Sequence, residues 1–370
     1  MEVQKSIEEL GYGTLFPIQA QAITPLLEGK DVIGQAQTGT GKTAAFGIPM
    51  VERLDSQVRK VQGLILVPTR ELAVQVAQNM SQFAKHSKLR VLPVYGGTSI
   101  ERQIRELNNG VQIVVGTPGR LIDLMERRVL NLSYVKVVVL DEADRMLDMG
   151  FIEDIGYILS KAPSDRQTSL FSATIDRTVM NVCNRYMRNP VKILVSKDEI
   201  GLTQMKQLYM VVSAHNKFEI LCNVLRDNRV ERAIVFCRTR HETSRIADQL
   251  SRKGYNTQAL HAGFTQSARD HAINAFRCGK LNLLVATDVA ARGLDIQGIT
   301  HIINYDVPAE PQVYFHRVGR TARMGGDGTA ITLVSYGEMS NFNNIKAITK
   351  TKIEEIGSHQ NSDSPVVSFF

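Results

Sequence analysis

Short apolar runs rich in β-branched residues recur along the chain. In the first half they are "GLILVPT" at 63 to 69, "VQIVVGT" at 111 to 117, "VKVVVLDEAD" at 135 to 144 and "TSLFSAT" at 168 to 174. Each is apolar at consecutive positions and runs into a polar or glycine-containing loop. That pattern predicts strands buried on both faces of a parallel sheet, with loops at their carboxyl ends free to carry function. The second half repeats it in "ERAIVFCRTR" (231 to 240), "YNTQALHAG" (255 to 263), "LNLLVATD" (281 to 288) and "THIINYD" (300 to 306). Two α/β domains follow, with no repeat between the halves visible in the sequence. The opening "MEVQKSIEEL" predicts an amphipathic helix. Between the halves, "SKDEIGLTQMKQ" at 196 to 207 loses the apolar period and gains charge and Gly201, which predicts a linker and a boundary near residue 203. The expected organisation is a domain over 1–202, a second over 203–356, and a frayed polar tail over 357–370.

Composition changes this picture little. A chain of 370 residues exceeds one ordinary core, and 43% hydrophobic with 22% charged residues describes a globular protein. Lys and Arg number 44 against 37 Asp and Glu, a net +7 that permits a polyanionic partner without requiring one. Cys183, Cys222, Cys237 and Cys278 are scattered, with neither zinc spacing nor a disulfide framework, so buried free thiols in a reducing compartment are expected. No apolar run reaches the length of a membrane span and the amino terminus lacks the pattern of a signal peptide, so a cytoplasmic protein is expected.

Candidate chemistry begins at "DVIGQAQTGTGKTAAF", 31 to 46, which reads as a strand, a glycine-rich turn and a helix starting near Lys42. Thr38, Gly39, Thr40 and Gly41 would aim backbone N–H groups at phosphate oxygens, Lys42 would reach the outer phosphates, and Thr43 would offer a hydroxyl to magnesium. The common form of this loop has glycine six residues before the lysine; here Ala36 stands there. A nucleotide loop also needs an acidic site. "VVVLDEAD" supplies Asp141 to hold magnesium and Glu142 to orient and deprotonate water. The nearest match to a guanine-reading loop, "NKFE" at 216 to 219, lies in the wrong domain and ends in Glu219, so guanine is the less expected base. "HRVGRTAR", 316 to 323, gathers His316, Arg317, Arg320 and Arg323 with no acid among them, cations whose partner lies elsewhere in the chain. Gly319 argues that any helix there is only a short turn.

Together with "GYGTLFPIQ" (11 to 19), "PTRELA" (68 to 73), "GG" (96 and 97), "TPGR" (117 to 120), "SAT" (172 to 174), "HAGFTQSAR" (261 to 269) and "ATDVAARGLD" (286 to 295), these motifs make residues 8 to 350 resemble the DEAD-box RNA helicases of superfamily 2. The resemblance implies an α/β fold of two tandem RecA-like domains, each a mostly parallel sheet flanked by helices. It implies an RNA-stimulated ATPase with ATP and Mg2+ as cofactors, and an RNA partner held by backbone contacts without sequence specificity.

By the same resemblance Gln19 would read adenine and Tyr12 would stack on the base or wall its pocket. Members usually carry an aromatic residue well upstream that this chain starts too late to include, and Leu15 replaces a frequent proline. Asp295 would bind the ribose. Arg320 and Arg323 would act as arginine fingers, while His316 and Arg317 would bind the acidic loop and "SAT". Ser172, Thr174 and Asp144 would couple hydrolysis to strand separation. Thr69, Arg70, Gly97, Thr117, Gly119 and Arg120 would line the RNA path in the first domain, and Arg238, Gly263, Gln266, Arg269 and Thr287 in the second. Closure around ATP would bend one strand and part a few base pairs. A monomer is expected, with target selection left to protein partners. Two alternatives remain: an ATP-gated RNA clamp or chaperone with little unwinding, and a DNA translocase of the same superfamily, which "GYGTLFPIQ" and "DEAD" disfavour.

Overall fold

Consecutive apolar residues in one strand feed two different cores, and this sorting explains the runs. Leu64, Leu66, Val138 and Leu140 pack on one face of a sheet, while Ile65, Val67, Val137 and Val139 pack on the other. The computed structural model describes residues 2–36, 40–195, 205–227, 230–291, 296, 298–319, 321, 328–349 and 352–357. Two compact units result, Met1–Lys197 and Asp198–Phe370.

The first unit holds β1 (Val32–Gln35), β2 (Gly63–Leu66), β3 (Val91–Val94), β4 (Ile113–Gly116), β5 (Val137–Asp141), β6 (Gln167–Ser172) and β7 (Val191–Leu194). They form one parallel sheet in the order β3-β4-β2-β5-β6-β1-β7. The second unit holds β8 (Met205–Val212), β9 (Ala233–Phe236), β10 (Thr257–Leu260), β11 (Leu283–Ala286), β12 (His301–Asn304), β13 (Gly328–Ser335) and β14 (Glu354–Glu355). Its sheet is also parallel, in the order β10-β11-β9-β12-β13-β8-β14. Each strand of the second unit occupies the place of the strand seven earlier in the first. The two units therefore repeat one topology, although the sequence displays no repeat. These are the tandem RecA-like α/β domains expected.

Several expectations change. The stretch expected as linker is strand from Met205 onward, because Met205 and Gln207 face inward while Lys206 faces solvent, and Tyr314 Oη donates to Gln207 Oε1 at 2.9 Å. Cys183 and Cys237 are buried, but Cys222 is half-buried and Cys278 exposed. The basic stretch begins inside an eight-residue helix, Pro311–Val318, that stops at Gly319. No described helix is long and apolar enough to cross a membrane. The expected tail from 358 onward lies outside the described residues.

Candidate functional site

Strand order divides the first unit's carboxyl edge in two. The neighbours β5, β6 and β1 lead into the loops that bear Asp141 to Asp144, Ser172 to Thr174, and Ala36 to Thr43. The neighbours β3, β4 and β2 lead into those bearing Gly97, Thr117 to Arg120, and Thr69 with Arg70. Loops at this edge of a parallel sheet face a common crevice, so the residues expected to meet nucleotide and those expected to meet RNA lie side by side without mixing.

The phosphate loop leaves β1 beside β6: Ala36 N donates to Ser172 O at 3.0 Å and Gln35 Nε2 to Ala173 O at 3.2 Å. It re-enters regular structure at the helix Lys42–Arg53, whose N-cap Gly41 has φ 84°. Glycine is required there twice over. The left-handed backbone disfavours any Cβ, and a Cβ would collide with the Gln19 amide and come within 3.0 Å of Phe16 Cδ2. Lys42 is buried and donates Nζ to Ala36 O at 2.9 Å, spanning the loop from end to start. Thr40 is buried and Thr43 half-buried, while Thr38 and Gly39 lie outside the described residues.

Gln19, 1% exposed, donates Nε2 to Gly41 O at 3.1 Å and accepts at Oε1 from Phe16 N at 2.9 Å. Its amide thus ties "GYGTLFPIQ" to the phosphate loop. Phe16, which sequence reasoning missed, is the aromatic packed at this junction. Tyr12 is exposed and its ring meets Phe83 edge-on at 6.2 Å, where partial burial raises its pKa.

Asp141 ends β5 inside the sheet at 3% exposure. Burial pushes its pKa up to about 6, with the Lys42 charge pulling the other way and Glu142 adding to the rise. Among the described residues its carboxylate accepts one hydrogen bond, at Oδ1 from Glu142 N at 3.0 Å. A buried carboxylate short of donors, next to the Thr43 hydroxyl's helix, offers the hard oxygen ligands that Mg2+ takes, so the residues fit that ion.

Glu142 sits at φ 51°, a strained left-handed corner that turns it out of the strand direction, and Arg145 Nη1 donates to its Oε2 at 2.6 Å. Asp144 collects the coupling set. Its N–H donates to Ser172 Oγ at 3.2 Å, and its Oδ2 accepts from both N and Oγ1 of Thr174 at 2.9 Å. The loops after β5 and β6 are therefore one bonded unit.

In the other half of the edge Thr69 caps the helix Arg70–Phe83. Arg70 lays its guanidinium against Gly97, which has φ +81° and leaves no room for a side chain. Arg120 donates to Thr98 O at 3.4 Å, Thr117 starts the helix Pro118–Glu126, and Gly119 is exposed with open space where a Cβ would stand. Glycines and a few fixed cations leave the surface low enough for a sugar-phosphate strand.

The second unit repeats this half. After β10, Gly263 is exposed, its N–H donates to His261 Nδ1 at 3.1 Å, and Gln266 and Arg269 open the helix Gln266–Arg277. Thr287 follows β11 and is buried. Arg238 follows β9 with its side chain 55% exposed. Sequence reasoning missed Thr239. It caps the helix Arg240–Arg252 after β9 as Thr69 caps its helix after β2, and the shared Thr-Arg pair in "PTRE" and "RTRH" could have revealed it.

Within the basic stretch the structure gives Arg317 a different partner from the one expected. It is 2% exposed and makes a bidentate pair with Asp288 of its own unit, at 2.6 and 2.8 Å. Further bonds run to Asn304 Oδ1 at 3.1 Å and Asp306 O at 2.7 Å, and its guanidinium lies 5.0 Å over the Phe236 ring. A planar fork so enclosed binds its own domain together. His316 lies in the last turn of Pro311–Val318 and is half-buried, whereas Arg320, Arg323 and Asp295 lie outside the described residues.

Known proteins place this arrangement. Residues 16–182 match the DEAD/DEAH box helicase family and 216–325 the helicase conserved C-terminal domain. The chain is 47% identical over 355 residues to the DEAD-box ATP-dependent RNA helicase CshA of Geobacillus kaustophilus, covering 96% of this chain and 76% of that protein. To its Bacillus cereus counterpart it is 45% identical over 352 residues, covering 95% and 67%. Among solved structures it resembles Saccharomyces cerevisiae Dbp5 bound to RNA and ADP BeF3, at TM-score 0.88 and 31% identity over 96% of this chain and 93% of that one. It also resembles a DEAD box protein from Methanococcus jannaschii, at TM-score 0.56 and 37% identity over 96% of each chain. On its motifs, its paired sheets and these relatives, the chain belongs to the DEAD-box family of ATP-dependent RNA helicases.

Proposed function

We propose that the first unit binds ATP with Mg2+ on the loop 38–43, with Gln19 reading adenine, Asp295 of the second unit binding the ribose, and Thr43 and Asp141 holding the metal. The bound nucleotide supplies the phosphoryl group to be transferred. Glu142 orients the attacking water and takes its proton, Lys42 neutralises charge on the outer phosphates, and Arg320 and Arg323 stabilise charge on the transferring group. Ser172, Thr174, Asp144 and His316 pass the state of the nucleotide to the RNA loops. RNA lies along the loops after β3, β4 and β2 and after β10, β11 and β9, touched at its backbone; it is gripped, bent and locally unpaired, then released after hydrolysis.

One observation carries this reading: in the first unit the nucleotide-type and RNA-type residues sort onto opposite halves of a single sheet edge and meet at the β2–β5 boundary. The test is steady-state ATP hydrolysis with and without structureless single-stranded RNA at two salt concentrations. Stimulation that weakens as salt rises is the expected result, since backbone contacts release counterions. Hydrolysis indifferent to RNA would refute it. ATP-dependent RNA binding without strand separation on a short duplex would replace unwinding by clamping.

A further inference from the structure

Glu338 belongs to none of the motifs, yet five donor atoms converge on its carboxylate. It closes the single turn Tyr336–Glu338 that follows β13 and is 8% exposed. Its Oε1 accepts from Arg238 Nη2 at 2.7 Å and Val307 N at 3.1 Å. Its Oε2 accepts from Lys217 Nζ at 2.8 Å and from Ser335 Oγ and N at 2.6 and 3.2 Å. Asp306 grips the same neighbours from the other side: Oδ2 accepts from Arg238 N at 2.7 Å and Oδ1 from Lys217 Nζ at 3.3 Å, while its main-chain O takes the Arg317 bond. Lys217 bridges the two carboxylates, and the Arg238 guanidinium adds a bond to Val307 O at 3.3 Å to the one it gives Glu338.

Topology gives this cluster its meaning. In the first unit the loop after β6 is bonded to the loop after β5 through Ser172, Thr174 and Asp144. In the second unit β13 and β12 occupy those places, and Ser335 to Glu338 is bonded to Val307 and, through Lys217, to Asp306. The geometry points to Glu338 as the positioning residue for the RNA grip of the second unit, holding the exposed guanidinium of Arg238 in one outward arrangement before a phosphate arrives. This rests on the reading of Arg238 as an RNA contact. A pre-ordered arginine binds phosphate without first losing the freedom of its long side chain.

The test substitution is Glu338→Gln. Donors face both carboxylate oxygens, so an amide must turn its own NH2 group toward one set of them and cannot hold both. We expect the RNA concentration for half-maximal ATPase stimulation to rise roughly twofold to tenfold, the scale of one freed side chain, with KM for ATP and turnover at saturating RNA within about twofold of the parent. Added to Arg238→Ala, the substitution should shift the RNA concentration no further, because it acts through that arginine. If Glu338→Gln fails to fold, Ser335→Ala, which removes one donor to the same carboxylate, should show a smaller shift in the same direction. An unchanged RNA requirement beside a shifted Arg238→Ala, or two shifts that add, overturns the inference and leaves the RNA reading standing. An unmodified protein that ignores RNA overturns the RNA reading itself.

Discussion

Gly41→Ala tests the junction between the phosphate loop and "GYGTLFPIQ" without assuming any ligand. At φ 84° an alanine carries a left-handed penalty of about 1–2 kcal/mol. Its Cβ would also collide with the Gln19 amide and press on Phe16, so Gln19 must leave. That breaks the bonds from Nε2 to Gly41 O and from Phe16 N to Oε1, at about 1 kcal/mol each. The sum is about 3–4 kcal/mol, which in a unit of this size lowers its melting temperature by roughly 5–15 °C. Calorimetry of the nucleotide-free protein, following the first unit's transition, reads this directly. A double-mutant cycle separates the two causes. In a Gln19→Ala background the amide collision has no partner, so Gly41→Ala should cost only the backbone penalty and whatever the Phe16 contact adds, leaving a coupling of about 2 kcal/mol between the sites. If Gly41→Ala costs the same in both backgrounds, the glycine serves backbone conformation alone and the latch does not exist.

Asp141→Asn should stabilise the protein free of metal and nucleotide. The folded pKa near 6 lies above the ordinary carboxylate value near 3.9, so folding favours the protonated form and stability falls as pH rises through 6. Urea unfolding should therefore show the variant ahead by up to about 3 kcal/mol above pH 7 and level with the parent below about pH 4; equal pH profiles would refute the burial argument. Glu142→Gln should bind ATP and RNA while turnover falls roughly 10²- to 10⁴-fold, as for loss of a general base; normal turnover in single-cycle assays would remove Glu142 from that role. Arg317→Lys should destabilise the second unit by about 3–5 kcal/mol in denaturant melts, because a lysine cannot pair bidentately with Asp288 and hold Asn304 and Asp306 together; a melt within 1 kcal/mol of the parent, about the measurement's scatter, would count against an internal structural role.

What could be read in the sequence was whatever a short run of residues decides locally. Central strands such as β2, β4 and β5 announce themselves because burial on both faces demands unbroken apolar runs. The edge strands β3 and β7 do not: "VLPV" carries Pro93 and is half-buried, and "VKIL" has only Ile193 buried. Motif order brought Ser172 and Thr174 under consideration with Asp144, and the structure bonds them across 28 and 30 residues. The destination of a charge was hidden, by contrast, because it depends on which loops the strand order brings together. Arg317 finds Asp288 because the loop after β11 and the helix after β12 meet in the fold. Glu338 finds Arg238 across 100 residues for the same kind of reason.

The repeated strand order is the largest thing the sequence concealed, and its physical cause also explains the division of labour between the units. A buried parallel strand asks only for β-branched and aliphatic bulk, so two copies of a sheet can drift to different residues while keeping the same neighbours. Their loops are under no such packing constraint. At equivalent places the first unit carries Lys42 in a glycine loop and the second carries Lys217, buried against Asp306 and Glu338. A lysine whose charge is already met by two carboxylates attracts phosphate less than Lys42 does, so the two copies of the topology put the same residue type to different use. That place in the second unit instead ties the loops after β9, β12 and β13 to one another.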